Sequence, residues 1–151
     1  MDVPRILREY GVRPSKGLGQ NFLVSEGVLD RIVAASELGP DDLVLEVGPG
    51  LGLMTRRLAE AARAVVAVEL DRRMVAILAE RLADLANVHV VQADILEVDP
   101  ARTVAGAIGA AVEGLEYKVV ANLPYYITSA ALRHLLEGFR RPTLLTVMVQ
   151  R

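Results

Sequence analysis

The sequence predicts an α/β domain built on a doubly wound, mainly parallel sheet, and three observations carry that prediction. Residues 43–53 read Leu-Val-Leu-Glu-Val-Gly-Pro-Gly-Leu-Gly-Leu, an apolar run that stops in three alternating glycines. A short Leu/Val run bounded by turn residues is the pattern of a strand covered on both faces. The pattern then repeats, with apolar strands whose carboxyl ends carry an acid at Glu46, Glu69 and Asp94. Helical periodicity fills the intervals, and strands alternating with helices favour a parallel sheet with helices on its faces. Ligands of such sheets bind at the carboxyl ends of the strands, so the three acids are expected to face one crevice.

A chain of 151 residues with 52% hydrophobic content is one domain with a sizeable core. No apolar run approaches the roughly 20 residues that cross a bilayer, and no hydrophobic signal segment opens the chain, so a cytoplasmic location is expected. The absence of cysteine removes disulfides, thiolate metal sites and cysteine nucleophiles, and leaves only His89 and His134 as imidazoles. No metal is expected. The net charge of −2 is unevenly spread: residues 1–24 carry +2, residues 133–151 carry +3, and the middle is acidic. Basic ends around an acidic centre offer phosphate contacts beside a cofactor pocket.

Taken in order, Asp2 and Pro4 start a short helix through Tyr10 that Gly11 ends. Residues 13–23 close on Gly-Gln-Asn-Phe-Leu and have neither period, which reads as an ordered loop whose Gln20 and Asn21 carboxamides hold its shape or meet a zwitterionic ligand. Ser25 caps a helix with Val28, Leu29, Ile32 and Val33 on one face, ending at Gly39-Pro40. The first strand and its glycine loop lead into a helix over 54–62, which sets the loop at a helix N-terminus that favours negative charge. A second strand, 64–68, ends in Glu69. Asp71 caps a helix bearing Met74, Ile77, Leu78, Leu82 and Leu85, and a third strand, 88–91, runs into Gln-Ala-Asp94. Residues 99–116 read as a weak Ala/Gly-rich helix acting as a spacer, with Asp99 as cap and Pro100 in the first turn. The fourth strand, 117–121, meets Asn122-Leu123-Pro124-Tyr125-Tyr126, where Pro124 ends the ladder. Thr128 or Ser129 caps a helix through Leu136, and 142–150 is a fifth strand.

The glycine spacing narrows the ligand. A dinucleotide site wants Gly-x-Gly-x-x-Gly, whereas here Leu53 stands where the third glycine belongs. Glu-x-Gly-x-Gly-x-Gly, from Glu46 to Gly52, instead resembles the first motif of S-adenosylmethionine-dependent methyltransferases with a Rossmann-like fold. Glu69 lies 19 residues beyond Gly50, close to the distance at which an acid accepts hydrogen bonds from ribose hydroxyls. Asp94 is placed to accept from an adenine amino group. At the fourth strand's end, the Asn122 side-chain oxygen and the Leu123 carbonyl offer two acceptors for the hydrogens of an exocyclic amine, with Tyr125 to stack on its ring.

Gly-Gln-Asn-Phe-Leu, Glu-Val-Gly-Pro-Gly-Leu-Gly, Val-Glu-Leu-Asp, Ala-Asp and Ala-Asn-Leu-Pro-Tyr-Tyr-Ile occur here in the order found in ribosomal RNA adenine N6-dimethyltransferases. The chain resembles most closely the KsgA-type members, which dimethylate two adjacent adenosines near the 3′ end of small-subunit ribosomal RNA. The resemblance implies that Asn21, Leu23, Gly48, Glu69, Asp94 and Asn122 contact S-adenosylmethionine, and that Asn122, Leu123 and Tyr125 receive the adenine. It further implies a small-subunit RNA or pre-30S partner, no membrane, and a monomer when complete. Family members continue past the fifth strand into further strands and a small helical RNA-contacting domain, so residues 1–151 are expected to be the N-terminal methyltransferase portion. Three alternatives are an erythromycin-resistance-type methylase acting on large-subunit RNA, a non-catalytic RNA-binding factor on the same fold, and an NAD-dependent dehydrogenase.

Overall fold

The computed structural model describes residues 3–11 and 25–149. Its elements are α1 (Val3–Glu9), α2 (Glu26–Ala35), β1 (Leu43–Val47), α3 (Leu53–Ala61), β2 (Ala64–Glu69), α4 (Arg72–Arg81), β3 (Val88–Gln92), α5 (Pro100–Ile108), β4 (Lys118–Leu123), α6 (Thr128–Leu136) and β5 (Leu144–Val149), with a 3-10 turn at Tyr125–Ile127. The five strands form one sheet in the order β3-β2-β1-β4-β5, and every pairing is parallel. The expectation of a doubly wound sheet holds, and for these strands "mainly parallel" becomes wholly parallel.

Side chains alternate between the faces of a strand, and the apolar strands use both. Leu43, Leu45 and Val47 of β1 join Val66, Val68, Val119, Ala121 and Leu123 in a core closed by Val104 of α5 and Leu135 of α6. Val44, Val65 and Val120 face the other way, onto Leu29 and Ile32 of α2 and Met54 and Leu58 of α3. The winding direction reverses between β1 and β4, neighbours in the sheet far apart in sequence. That reversal opens the crevice in which such folds take ligands.

Three local expectations need correction. The Ala/Gly-rich segment is no spacer, because Ala101, Val104 and Ala105 of α5 are buried against the sheet. Asp99 caps it through the Arg102 N–H, as expected, but the helix stops at Gly109, whose φ of 69° breaks the α-helical run. Neither Thr128 nor Ser129 caps α6. Ile127 takes the cap position without a side-chain bond, and the Thr128 hydroxyl donates back to the Pro124 carbonyl at 3.0 Å, bracing the turn instead. The fourth strand also runs two residues further than expected, since Asn122 and Leu123 stay in register with Met148 and Val149 before Pro124 ends the ladder.

Candidate functional site

Register fixes the site. Val47 pairs with Val68 on one side and with Ala121 on the other, so the next residue, Gly48, stands level with Glu69 and Asn122. The Gly48 N–H donates to the Val68 carbonyl at 3.3 Å. Across β1, a Cβ built on Gly48 would lie 2.5 Å from the Asn122 carbonyl oxygen, and Gly48 has φ of 74°. Only glycine satisfies both constraints. The loop then enters α3 at Gly52, also left-handed, whose missing side chain leaves the helix start without a side-chain cap. First-turn N–H groups and the helix dipole therefore face the loop, a setting that favours a negatively charged or polar ligand group.

Gly48→Ala is accordingly expected to destabilise the intact protein by about 1–3 kcal/mol, the range of a residue held in a strained backbone region. Gly109→Ala provides the comparison, with a similar φ of 69° but nothing within 4 Å of its added Cβ. Chemical denaturation should show Gly48→Ala to be the costlier change; equal losses would mean that the Asn122 carbonyl moves aside freely.

Gly48 and Asn122 line one concave site between the glycine loop and β4, with Glu46, Leu51, Val120 and Met148 among its other walls. Glu69 and Asp94 stand on the same carboxyl edge, outside the residues lining that space. Glu69 closes β2, and its Oε2 accepts the Asp71 N–H at 2.8 Å. Burial raises its pKa above the ordinary glutamate value, against the lowering effect of N–H donors at Asp71 and Leu70. Asp94 follows β3 by two residues, held by the Ala93 N–H to Glu69 carbonyl bond of 3.0 Å, and its own Oδ1 accepts the Leu96 N–H at 2.9 Å. Leu123 is fully buried at the end of β4. Tyr125, 72% exposed, projects from the 3-10 turn with its ring edge-on to Tyr126, centroids 5.6 Å apart. Asn21 and Leu23 lie outside the described residues.

Glu46 lines the concave site, as expected of it, but as a buried acid: it is 2% exposed, and the Thr55 hydroxyl of α3 is hydrogen-bonded to Oε1 and lies 3.1 Å from Oε2. Its side chain shares the face of Val44 and Gly48, between β1 and α3, which is why a strand with an acid in it could still be covered on both sides. Burial pushes its pKa up to about 8, with the Thr55 bond opposing and the Glu69 charge adding to the rise. Thr55 escaped sequence reasoning, because nothing in a helical Leu-Met-Thr-Arg marks a hydroxyl that will meet an acid nine residues earlier.

An acid whose folded pKa lies above its unfolded one stabilises fully below the ordinary glutamate range, and that contribution drains as pH rises through about 8. The intact protein should therefore lose thermal stability between pH 6 and pH 9 more steeply than Glu46→Gln, which keeps the shape and carries no charge. Parallel melting curves for the two would place a free carboxylate at Glu46.

No helix among the described residues is long and apolar enough to cross a membrane, and no cluster of potential metal ligands is found among them. The family model "Ribosomal RNA adenine dimethylase" matches residues 13–151. "Ribosomal RNA small subunit methyltransferase A" of Moorella thermoacetica is 49% identical over 96% of this chain and 51% of its own length. The protein of the same name from Dehalococcoides mccartyi strain 195 is 46% identical over 97% of this chain and 48% of its own length. The chain thus spans about half the length of the curated relatives it matches. Among solved structures, the 23S rRNA methyltransferase ErmE is 38% identical with a TM-score of 0.72, over 86% of this chain and 48% of that one. With the glycine loop, the acid-ended strands and Asn-Leu-Pro-Tyr at one sheet edge, the chain belongs to the ribosomal RNA adenine dimethylase family.

Proposed function

We propose that the protein transfers methyl groups from S-adenosylmethionine to the N6 amines of two adjacent adenosines near the 3′ end of small-subunit ribosomal RNA, in ribosome biogenesis. The observation that carries the reading is that Asn122, first residue of Asn-Leu-Pro-Tyr, lines the same concave site as the glycine loop. The residues fit the cofactor: Gly48 clears the backbone for close approach, the start of α3 offers N–H donors, Glu69 can accept ribose hydroxyls, and Asp94 can receive an adenine amino group. Asn21 and Leu23 complete the set by family resemblance.

When bound, S-adenosylmethionine supplies an electrophilic methyl on a sulfonium sulfur. The side-chain oxygen of Asn122 and the carbonyl of Leu123 accept the two hydrogens of the target amine, and Tyr125, already exposed, stacks on the base. That hold turns the nitrogen lone pair towards the methyl, so the catalytic contribution is chiefly proximity and orientation. The cofactor would supply the methyl group to the amine that Asn122 and Leu123 hold, and the proton the amine gives up would pass to solvent. The partner is small-subunit RNA, free or in a pre-30S particle, and the intact protein acts as a monomer.

The 38% identity to a methyltransferase of 23S rRNA makes the large subunit the competing substrate. Both RNAs should be incubated with the intact protein and S-adenosylmethionine, then digested and weighed. Dimethylation of two neighbouring adenosines near the 3′ end of small-subunit RNA is the expected result. Methylation confined to large-subunit RNA would overturn the substrate assignment, and cofactor binding without methylation of either would favour an RNA-binding factor.

A further inference from the structure

Tyr126 is an exposed aromatic side chain that the transfer chemistry above does not use. The chain carries four tyrosines, two phenylalanines and no tryptophan. Two of the tyrosines nonetheless stand side by side in the 3-10 turn after β4, Tyr125 at 72% and Tyr126 at 51% exposure. With so few rings to place, a neighbouring pair left in water forgoes packing, and half-wet tyrosines are characteristic of binding surfaces. The pair adjoins the candidate site through the chain itself, since Asn122 lines the concave space and Leu123 and Pro124 lead straight into the turn.

The turn that carries the rings is fixed on both sides. Leu123 before it is fully buried, and Ile127 at its end packs against the sheet core. The Pro124 carbonyl accepts the Ile127 N–H at 3.1 Å and the Thr128 hydroxyl at 3.0 Å, and α6 begins at once. Between these anchors the two tyrosine rings meet edge to face, with their planes at 87°. Within the pair, such a contact covers one face of one ring, and the remaining faces look in two directions nearly at right angles. That angle matters for nucleic acid. Neighbouring bases of a stacked strand lie parallel, and no parallel pair fits two perpendicular rings. Two bases splayed apart do.

We propose that Tyr126 is a stacking platform for the nucleotide next to the target adenosine, receiving that base while Tyr125 receives the target. The inference rests on the substrate reading above. Methylation at N6 requires the target to leave its stack, and the neighbour it leaves behind loses contact on one face. Tyr126 replaces that contact, because stacking on an aromatic ring is open to every base. The perpendicular rings hold the two bases apart, so the target does not fall back onto its neighbour between one methyl transfer and the next. Tyr126 stands to one side of Tyr125 and so serves one flank of the target. When the RNA shifts by one nucleotide to present the second adenosine, the base on that same flank takes the platform, whatever its identity.

The test is single-turnover methylation by the intact protein at subsaturating enzyme, read by mass at one target adenosine after digestion. The substrates are small-subunit RNA and the same RNA with an abasic ribose on the 5′ or the 3′ side of that adenosine. With wild type, removing the base on one flank should lower the rate about tenfold, and removing it on the other should change it little. Tyr126→Ala should lower the rate on unmodified RNA by a similar factor, with S-adenosylmethionine affinity and melting temperature retained. Combining Tyr126→Ala with the sensitive abasic RNA should cost nothing further, since two changes that remove one contact do not add. Tyr126→Phe should recover most of the loss, because the ring and not the hydroxyl stacks. Losses that multiply in the combination would mean that Tyr126 serves Tyr125 or the fold rather than the neighbouring base, and overturn the inference. So would insensitivity to the abasic ribose on both flanks, a wild-type rate in Tyr126→Ala, a rate that falls only in step with melting temperature, or a Tyr126→Phe variant as slow as alanine. Each of these leaves the substrate reading intact, whereas a wild-type protein that does not methylate small-subunit RNA overturns both.

Discussion

Asn122→Ala in the intact protein should lower single-turnover methylation of small-subunit RNA by on the order of 100-fold, the loss expected when a reacting atom is misoriented, while the fold survives. The separation is possible because the sheet uses the Asn122 backbone, paired with Met148 and packed on Gly48, and an alanine keeps that backbone. Alanine keeps the ladder and removes one of two acceptors that hold the amine. The Leu123 carbonyl remains, so RNA binding should change much less than rate. Asn122→Asp preserves an acceptor at the price of a charge and should retain more activity than alanine. Thermal melting of each variant serves as the folding control. Wild-type rates in a folded Asn122→Ala protein would reduce Asn-Leu-Pro-Tyr to a structural turn.

The second large effect is on cofactor binding. Glu69→Ala should weaken S-adenosylmethionine by about 10- to 150-fold, corresponding to roughly 1.5–3 kcal/mol for hydrogen bonds to a charged acceptor. Glu80→Ala should leave affinity unchanged, since Glu80 is exposed on α4. Glu69 also accepts the Asp71 N–H at the start of α4, so its loss should cost a little stability as well. Calorimetry separates the two consequences: a modest fall in melting temperature with undiminished affinity would confine Glu69 to bracing the helix start. Because burial lifts the Glu69 pKa, its acceptor role should fade on acidification at a higher pH than an ordinary glutamate would, weakening the cofactor as pH falls.

Much of the fold was legible because local and global signals agree. The runs at 43–47, 64–69 and 118–123 are apolar on both faces, which only strands covered by helices on both sides tolerate, and Asp71 and Asp99 cap the helices that follow. The glycine loop and the acid at the end of β2 were readable for the same reason: a left-handed backbone and a strand-end acceptor are demands that few residue types meet. The sequence alone also located Asn122 at a strand's carboxyl end. What it left open was level and direction. That Gly48, Glu69 and Asn122 form one row depends on parallel register between strands whose paired residues lie up to 74 positions apart, and the reversal between β1 and β4 that opens the site depends on strand order. Glu46 shows the limit most clearly, since its place in the chain is that of an acid at a strand's end, while period-two alternation and the arrival of α3 bury it against Thr55. Residue type and spacing determine which groups a strand presents at its end; whether such a group meets water, a hydroxyl or a ligand is decided by the element that the rest of the chain packs over it.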